Sequence, residues 1–274
     1  MFRRDERMIQ IKTEAEIAVM RAAGLVVGRT LETVRAAVAP GVTTAELDAI
    51  AEDSIRQAGA VPSFKGYHGF PASICASVND EIVHGIPGPK ILREGDIVSI
   101  DCGAIVDGYH GDAAVTVAVG SAPDELLELI RVCEDAMWEG LAAVRAGGRL
   151  SDIGHAIETS ITSRGAYGIV RDYTGHGIGT EMHQEPNVPN FGRPGRGIRL
   201  QKGLALAVEP MVNQGSRHTR LLDDGWTVVT ADGKRAAHFE HTVAITDDGP
   251  WVLTALDGGA SRLAERAAGS AALA

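Results

Sequence analysis

Cysteine is scarce in this chain. There are three in 274 residues, Cys75, Cys102 and Cys133, with no CxxC pair. That excludes a disulfide framework and a Cys-rich zinc module. Lone thiols suit a reducing compartment. No stretch is long and apolar enough to span a bilayer. The start, Met1-Phe-Arg-Arg-Asp-Glu-Arg7, is charged with no apolar stretch behind it, so no secretory signal is visible. The expected location is the cytoplasm. Positive charge is also short: 26 Lys and Arg face 36 Asp and Glu, a net charge of −10. That balance excludes a general nucleic-acid binder. A local basic patch would still leave room for a transient ribosome contact. No linker divides the chain.

What is present is an apolar share of 45%, enough for a sizeable core. The length allows one large domain or two ordinary ones. Residues 13–37 read as an amphipathic helix with Ile17, Met20, Leu25, Leu31 and Val34 at apolar positions, broken by Gly41. Thr43 or Thr44 caps a second helix that Gly59 ends. Residues 96–119 read as a hairpin about the Asp107-Gly108 turn. Ser121 caps a long helix to about Val144, and Ser151 caps another that Gly165 ends. Residues 184–199 are rich in Pro, Gly and Arg and read as an exposed loop. Residues 204–256 are strand-rich. The small-residue tail from 257 reads as frayed. The expected organisation is an extension over 1–12, one domain over 13–256 and a tail over 257–274.

The chain repeats itself. Glu94-Gly-Asp-Ile-Val-Ser-Ile-Asp101 parallels Lys202-Gly-Leu-Ala-Leu-Ala-Val-Glu209, 108 positions later. His110-Gly-Asp112-Ala-Ala-Val parallels His238-Phe-Glu240-His-Thr-Val, 128 later. Leu47, Ala51, Ser54, Ile55, Gly59 and Ala60 fall opposite Ile153, Ile157, Ser160, Ile161, Gly165 and Ala166, each 106 later. Any one match is weak. Three in the same order argue for a duplication, with an acid pair from each half facing across a cleft.

Four carboxylates, Asp101, Asp112, Glu209 and Glu240, with His176 between the pairs form a hard-ligand set for two divalent cations. Dinuclear sites of that kind usually hydrolyse something. A lone acid is ordinarily a solvated surface group. Asp101 and Glu209, however, each end an apolar run, where an acid is costly unless paired or metal-bound. Alternation along a strand turns Cys102 away from Asp101, which makes it a poor ligand. His176 lies between Gly175 and Gly177, open to close approach by metal and substrate, although alone it reads as a turn histidine. Spacing leaves His84 and His183 ambiguous. His110, His218 and His238 are expected in surface or outer roles, and His155 in a structural one.

Tyr173-Thr-Gly-His-Gly-Ile-Gly-Thr-Glu-Met-His183, Ser99-Ile-Asp-Cys-Gly, His110-Gly-Asp-Ala-Ala, Val208-Glu-Pro-Met and Phe239-Glu-His-Thr carry a resemblance. Gly66-Tyr-His-Gly-Phe-Pro-Ala-Ser-Ile-Cys75 and Val83-His-Gly-Ile-Pro87 add to it. Together these segments resemble the type I methionine aminopeptidases of the pita-bread metallopeptidase family, from about residue 13 to 256. The resemblance implies an α+β pita-bread fold, with two pseudo-symmetric halves of antiparallel sheet covered by helices. It implies removal of the initiator methionine from nascent chains whose second residue is small, by a monomer. Two divalent ions, of Co, Mn, Fe or Zn, are implied as cofactors. Asp101 would bind one ion, His176 and Glu209 the other, with Asp112 and Glu240 bridging. A water or hydroxide between the ions would attack the peptide carbonyl. Glu209 would manage its proton, His183 would stabilise the oxyanion and His84 would contact the amide nitrogen. Tyr67, Phe70, Cys75, Met182 and Trp226 would line the methionine pocket. Phe70 stands where the family often has Tyr, and Met182 where it often has an aromatic; both stay apolar.

The nearest rival is a prolidase or X-Pro aminopeptidase of the same fold. Those enzymes usually carry a large N-terminal domain, whereas about a dozen residues precede the first helix here. A type II enzyme would carry a long insertion between His176 and Glu209, which lie only 33 positions apart. A non-catalytic binding module on this fold would be expected to lose ligands, and all five are present.

Overall fold

A computed structural model describes residues 9–272, with side chains through residue 268. Two helices lead, α1 (Glu14–Ala37) and α2 (Thr44–Gln57). Strands β1 (Val61–Pro62), β2 (Ile74–Val78) and β3 (Glu81–Val83) follow, then the hairpin of β4 (Ile97–Val106) and β5 (Tyr109–Ala118). A second helix pair, α3 (Asp124–Ala142) and α4 (Leu150–Thr162), opens the other half. It runs on through β6 (Gly168–Ile169), β7 (Gly175–Gly177), β8 (Gln184–Val188), β9 (Ala205–Val208) and β10 (Met211–Asn213). The last strands are β11 (Thr219–Leu221), β12 (Val228–Thr230), β13 (Ala236–His238), β14 (Glu240–Thr246) and β15 (Gly249–Val252), before α5 (Ala260–Ala272).

The main sheet is antiparallel in the order β1-β4-β5-β14-β9-β7-β8, with β2 on β4 and β15 on β14. Its centre is the junction of β5 and β14, where the halves meet. Helix pairs cover one face. Val98, Ile100, Cys102 and Ala104 of β4 pack against Val27, Leu31, Leu47 and Ile55 of α1 and α2. Leu206, Val208, Val243 and Ile245 pack with Leu129, Cys133 and Met137 of α3. This is the expected α+β architecture of two facing halves. The turn of the first hairpin is as the sequence predicts, with Asp107 and Gly108 both at positive φ.

Helix starts follow local chemistry. Thr13 with Glu16 and Thr43 with Glu46 form full capping boxes. Ser121 and Ser151 do not cap as expected. Pro123 precedes α3, whose first turn carries Asp124 and Glu125, and Ser121 N–H instead donates to Glu94. At α4 the Asp152 carboxylate accepts from Arg149 N–H, and Ser151 Oγ accepts from Arg196 N–H. Two further expectations need correction. Residues 184–188 are an edge strand rather than loop, an edge being where Pro186 is tolerated. The tail expected to fray from 257 is helical over Ala260–Ala272. Its alanines favour helix, and Arg262 and Arg266 reach Asp135 of α3 at 3.2 and 2.5 Å. The expected extension over 1–12 lies outside the described residues up to residue 8. Its end is tied in, since Lys12 N–H donates to Gly203 O and Lys12 is buried.

Candidate metal centre and adjoining pocket

Sheet register assembles the acids. Asp101 lies opposite Ala114 and Asp112 opposite Gly103, so both project from one face of the hairpin. Glu240 also lies opposite Ala114, on the same face from the other half. His241 pairs with Val208, which places Glu209 beside Glu240 one step on. His176 lies opposite Ala207, in phase with Glu209. All five sequence-predicted ligands thus share one face, and Cys102 faces the helices as expected.

The close packing is measurable. Ligand atoms of Asp112, His176 and Glu240 lie within 4.8 Å of one another, as do those of Glu209, His238 and Glu240. His176 Nε2 is 3.3 Å from Glu209 Oε1. His176 Nδ1 contacts Gly177 O at 3.0 Å. A proton on Nδ1 satisfies that carbonyl and leaves the Nε2 lone pair free toward the acids. Burial pushes Asp101 up to about 7. Burial, then the neighbouring carboxylates, holds Asp112, Glu209 and Glu240 well above the usual carboxylate range. Among the described residues no Lys or Arg pairs with these four acids. Asp101 Oδ1, Asp112 Oδ1 and Glu240 Oε1 are buried with no hydrogen-bond partner. Orphaned oxygens on one face of the sheet fit divalent cations, which would supply the missing positive charge.

Glycines flank His176 for a reason the sequence reading did not give. A Cβ on Gly175 would lie 2.3 Å from Ala207 O, and one on Gly177 would lie 2.2 Å from Glu185 O. They let β7 fit between β8 and β9; close approach of substrate is not what requires them.

A small cavity of about 110 Å³ adjoins the acids. Tyr67, Phe70, Cys75, Met182 and Trp226 line it, together with His84, His183 and Asp101. Cys75 lies opposite Asp101 in the β2–β4 ladder, which joins pocket to acids. Phe70 and Trp226 meet edge to face with centroids 5.1 Å apart. Phe64 also lines the cavity. Sequence reasoning missed it because Val61-Pro-Ser-Phe64 carries no clear periodicity.

His183 follows β7 in the hairpin to β8, so its seven-residue spacing from His176 spans a turn. The rings lie 4.3 Å apart, and Tyr67 OH is 2.8 Å from His183 Nδ1. His84 follows β3 at positive φ (60°), an unusual conformation for a non-glycine residue. Burial, then the neighbouring His183, lowers His84 to about 4, so it is neutral at pH 7. His110 contacts Ser63 Oγ at 3.0 Å, and His155 lies exposed on α4. His238 takes the outer of its two expected places, beside a ligand rather than at the surface. It is 1% exposed, and its Nε2 lies 3.8 Å from Glu209 Oε2.

Comparison with known proteins agrees with this geometry. The model of metallopeptidase family M24 matches residues 18–247. A methionine aminopeptidase of Clostridium acetobutylicum is 54% identical over 248 residues, 90% of this chain and 99% of that protein. The crystal structure of methionine aminopeptidase from Thermotoga maritima matches with a TM-score of 0.89 at 44% identity, covering 90% of this chain and 100% of that one. An Xaa-Pro dipeptidase from Bacillus anthracis matches at 0.72 and 27% identity, with 91% of this chain covering 63% of that one.

Proposed function

Because this chain belongs to metallopeptidase family M24, we propose that it removes the N-terminal methionine from polypeptides whose second residue is small. The observation that carries this reading is the joining of four acids and one imidazole on one face of the sheet to a small, mainly apolar pocket that Asp101 also lines. Asp101 would hold one divalent cation and His176 with Glu209 the other, with Asp112 and Glu240 serving both. Bound cations lower the pKa of water and polarise the scissile carbonyl. The remaining work belongs to side chains. The pocket of Tyr67, Phe70, Cys75, Met182 and Trp226 takes the methionine side chain, whose thioether packs well on aromatic edges. Asp101, which also lines the pocket, would lie near the free α-amine. Glu209 accepts a proton from the attacking water and returns it toward the leaving nitrogen. Tyr67 OH, donating to His183 Nδ1, leaves the proton on His183 Nε2, where it can donate to the developing oxyanion. His84, neutral and facing the pocket, contacts the amide nitrogen.

The Xaa-Pro dipeptidase likeness is a rival, but the pocket is apolar and the nearer relatives are methionine aminopeptidases. Free, buried thiols support a cytosolic setting, and no helix among the described residues is long and apolar enough to cross a membrane. The substrate would there be the end of a nascent chain.

The test is turnover of Met-Ala-Ser against Pro-, Leu- and Lys-led peptides, with metal-depleted enzyme reloaded with Mn, Fe, Co or Zn. Met-led peptide should be preferred over Leu-led and strongly over Lys-led, since the pocket offers no partner for a buried charge. Preferred cleavage of the Pro-led peptide would replace this reading with the rival. Comparable kcat/KM for the Lys-led peptide would overturn the pocket assignment.

A further inference from the structure

His238 is 1% exposed, yet among the described residues neither ring nitrogen has a hydrogen-bond partner. Buried polar groups are seldom left so. Its backbone is held from two sides. Thr116 Oγ1 accepts from His238 N–H at 2.9 Å and donates to His238 O at 2.8 Å, and β13 pairs His238 with Met211. The ring is therefore placed rather than loose. Its Nε2 points at Glu209 Oε2 across 3.8 Å, too long for a hydrogen bond, while Glu209 Oε1 faces His176 Nε2 at 3.3 Å. Glu209 thus stands between two imidazoles, one at each oxygen.

The two imidazoles are not equivalent. His176 Nδ1 has a carbonyl to take its proton, which frees Nε2 as a lone pair. His238 has no such carbonyl at Nδ1. A neutral imidazole carries one proton, and the nitrogen beside a carboxylate is where it is best placed. We propose that His238 is a positioning residue for Glu209, its Nε2–H donating to Oε2 so that Oε1 alone is presented to the cation beside His176. A rotation of the Glu209 carboxylate on loading the site would close the 3.8 Å gap. Without His238, both Glu209 oxygens are free to turn toward the cation, and the oxygen needed for proton transfer is no longer held apart.

This inference rests on the metal-site reading above, and cobalt(II) separates the two. The variants are His238→Gln, whose amide N–H reaches about where Nε2 stands, and His238→Leu, which has no donor. Each is loaded with cobalt, and stoichiometry, Kd, visible absorption, kcat and KM for Met-Ala-Ser are measured. His238→Gln is expected to keep the wild-type spectrum and stoichiometry, with kcat within about threefold. His238→Leu is expected to keep its fold by circular dichroism but to show an altered spectrum. It should lose about 10- to 100-fold in cobalt affinity or kcat, the range for a lost partner of a ligand, with little change in KM. A changed spectrum or lost cobalt in His238→Gln would make His238 a ligand and overturn the proposal. A His238→Leu enzyme matching wild type in every readout would overturn it too. Wild-type protein that takes up no cobalt would instead overturn the metal-site reading itself.

Discussion

Asp112 and Glu240 stand where the two halves of the sheet meet, each facing the other across the site. Asp112→Ala or Glu240→Ala should therefore abolish metal uptake and peptide turnover together, checked by metal analysis and a kinetic assay; full turnover by either variant would rule out a shared two-cation site. His84→Ala and His183→Ala should part these properties. Both should retain metal yet lose rate by about a hundredfold, the effect of removing one transition-state hydrogen bond. Metal loss at neutral pH in either would count against the roles given to these histidines. The acids were legible in the sequence because two of them end apolar runs and the copies gave the other two. His238 was expected, with His110 and His218, at the surface or just outside the ligands. It lies two residues before Glu240, hence on the same face of an extended chain. The same rule would also have named His110, two residues before Asp112. Only the structure shows that His110 turns to Ser63 while His238 turns to Glu209. The glycines beside His176 were misread because their cause, carbonyls of Ala207 and Glu185, comes from strands distant in sequence or reached only after a turn.

The element least visible in the sequence was α5. Its composition reads as a solvated tail, and what makes it a packed helix lies on α3. Asp135 sits among Arg164, Arg262 and Arg266, with Leu263 packed against the core. Burial raises the Asp135 carboxyl, but its bonds to Arg164 and Arg266 outweigh that and leave it below the usual carboxylate range. A carboxyl lowered by folding adds stability that is present above its unfolded pKa, near 3.9, and is lost as pH falls through its folded value. Acid should therefore release α5 below about pH 4, and Asp135→Asn should weaken its docking at pH 7 by about 1 kcal/mol, as for a half-exposed ion pair. Amide exchange over residues 260–268 is the measurement. Protection unchanged in Asp135→Asn would show that apolar packing alone holds the helix. Helices α1 and α2 were legible to within about a residue, and Thr13 and Thr43 each have the Glu three positions later that completes a capping box. Neither α3 nor α4 is capped by its expected Ser, and there the predicted start was off.

At the scale of the molecule, the repeat in the sequence became a sheet whose two halves meet at β5 and β14. That junction has a short ladder: Glu240 with Ala114 and His241 with Ala113. Threonine hydroxyls extend it. Thr242 Oγ1 accepts from Asp112 N–H at 3.1 Å and donates to Asp112 O at 2.8 Å, and Thr116 does the same for His238. Metal should stabilise the whole chain, by about 2.7 kcal/mol at a hundredfold excess over Kd, read as a rise in Tm over chelated protein. A Tm indifferent to cation would argue that the acids are satisfied some other way. The short ladder has a mechanical consequence. A cation gripped by acids from both halves would be a rivet through the joint, where the backbone is only lightly stitched. Pulling the rivet with a chelator should loosen the joint before it loosens the plates, so the amides of Asp112 and His238 should exchange faster while those inside α1 and α3 stay slow. In this picture the proposed metal centre would also be the fastener that holds the two halves together as one body.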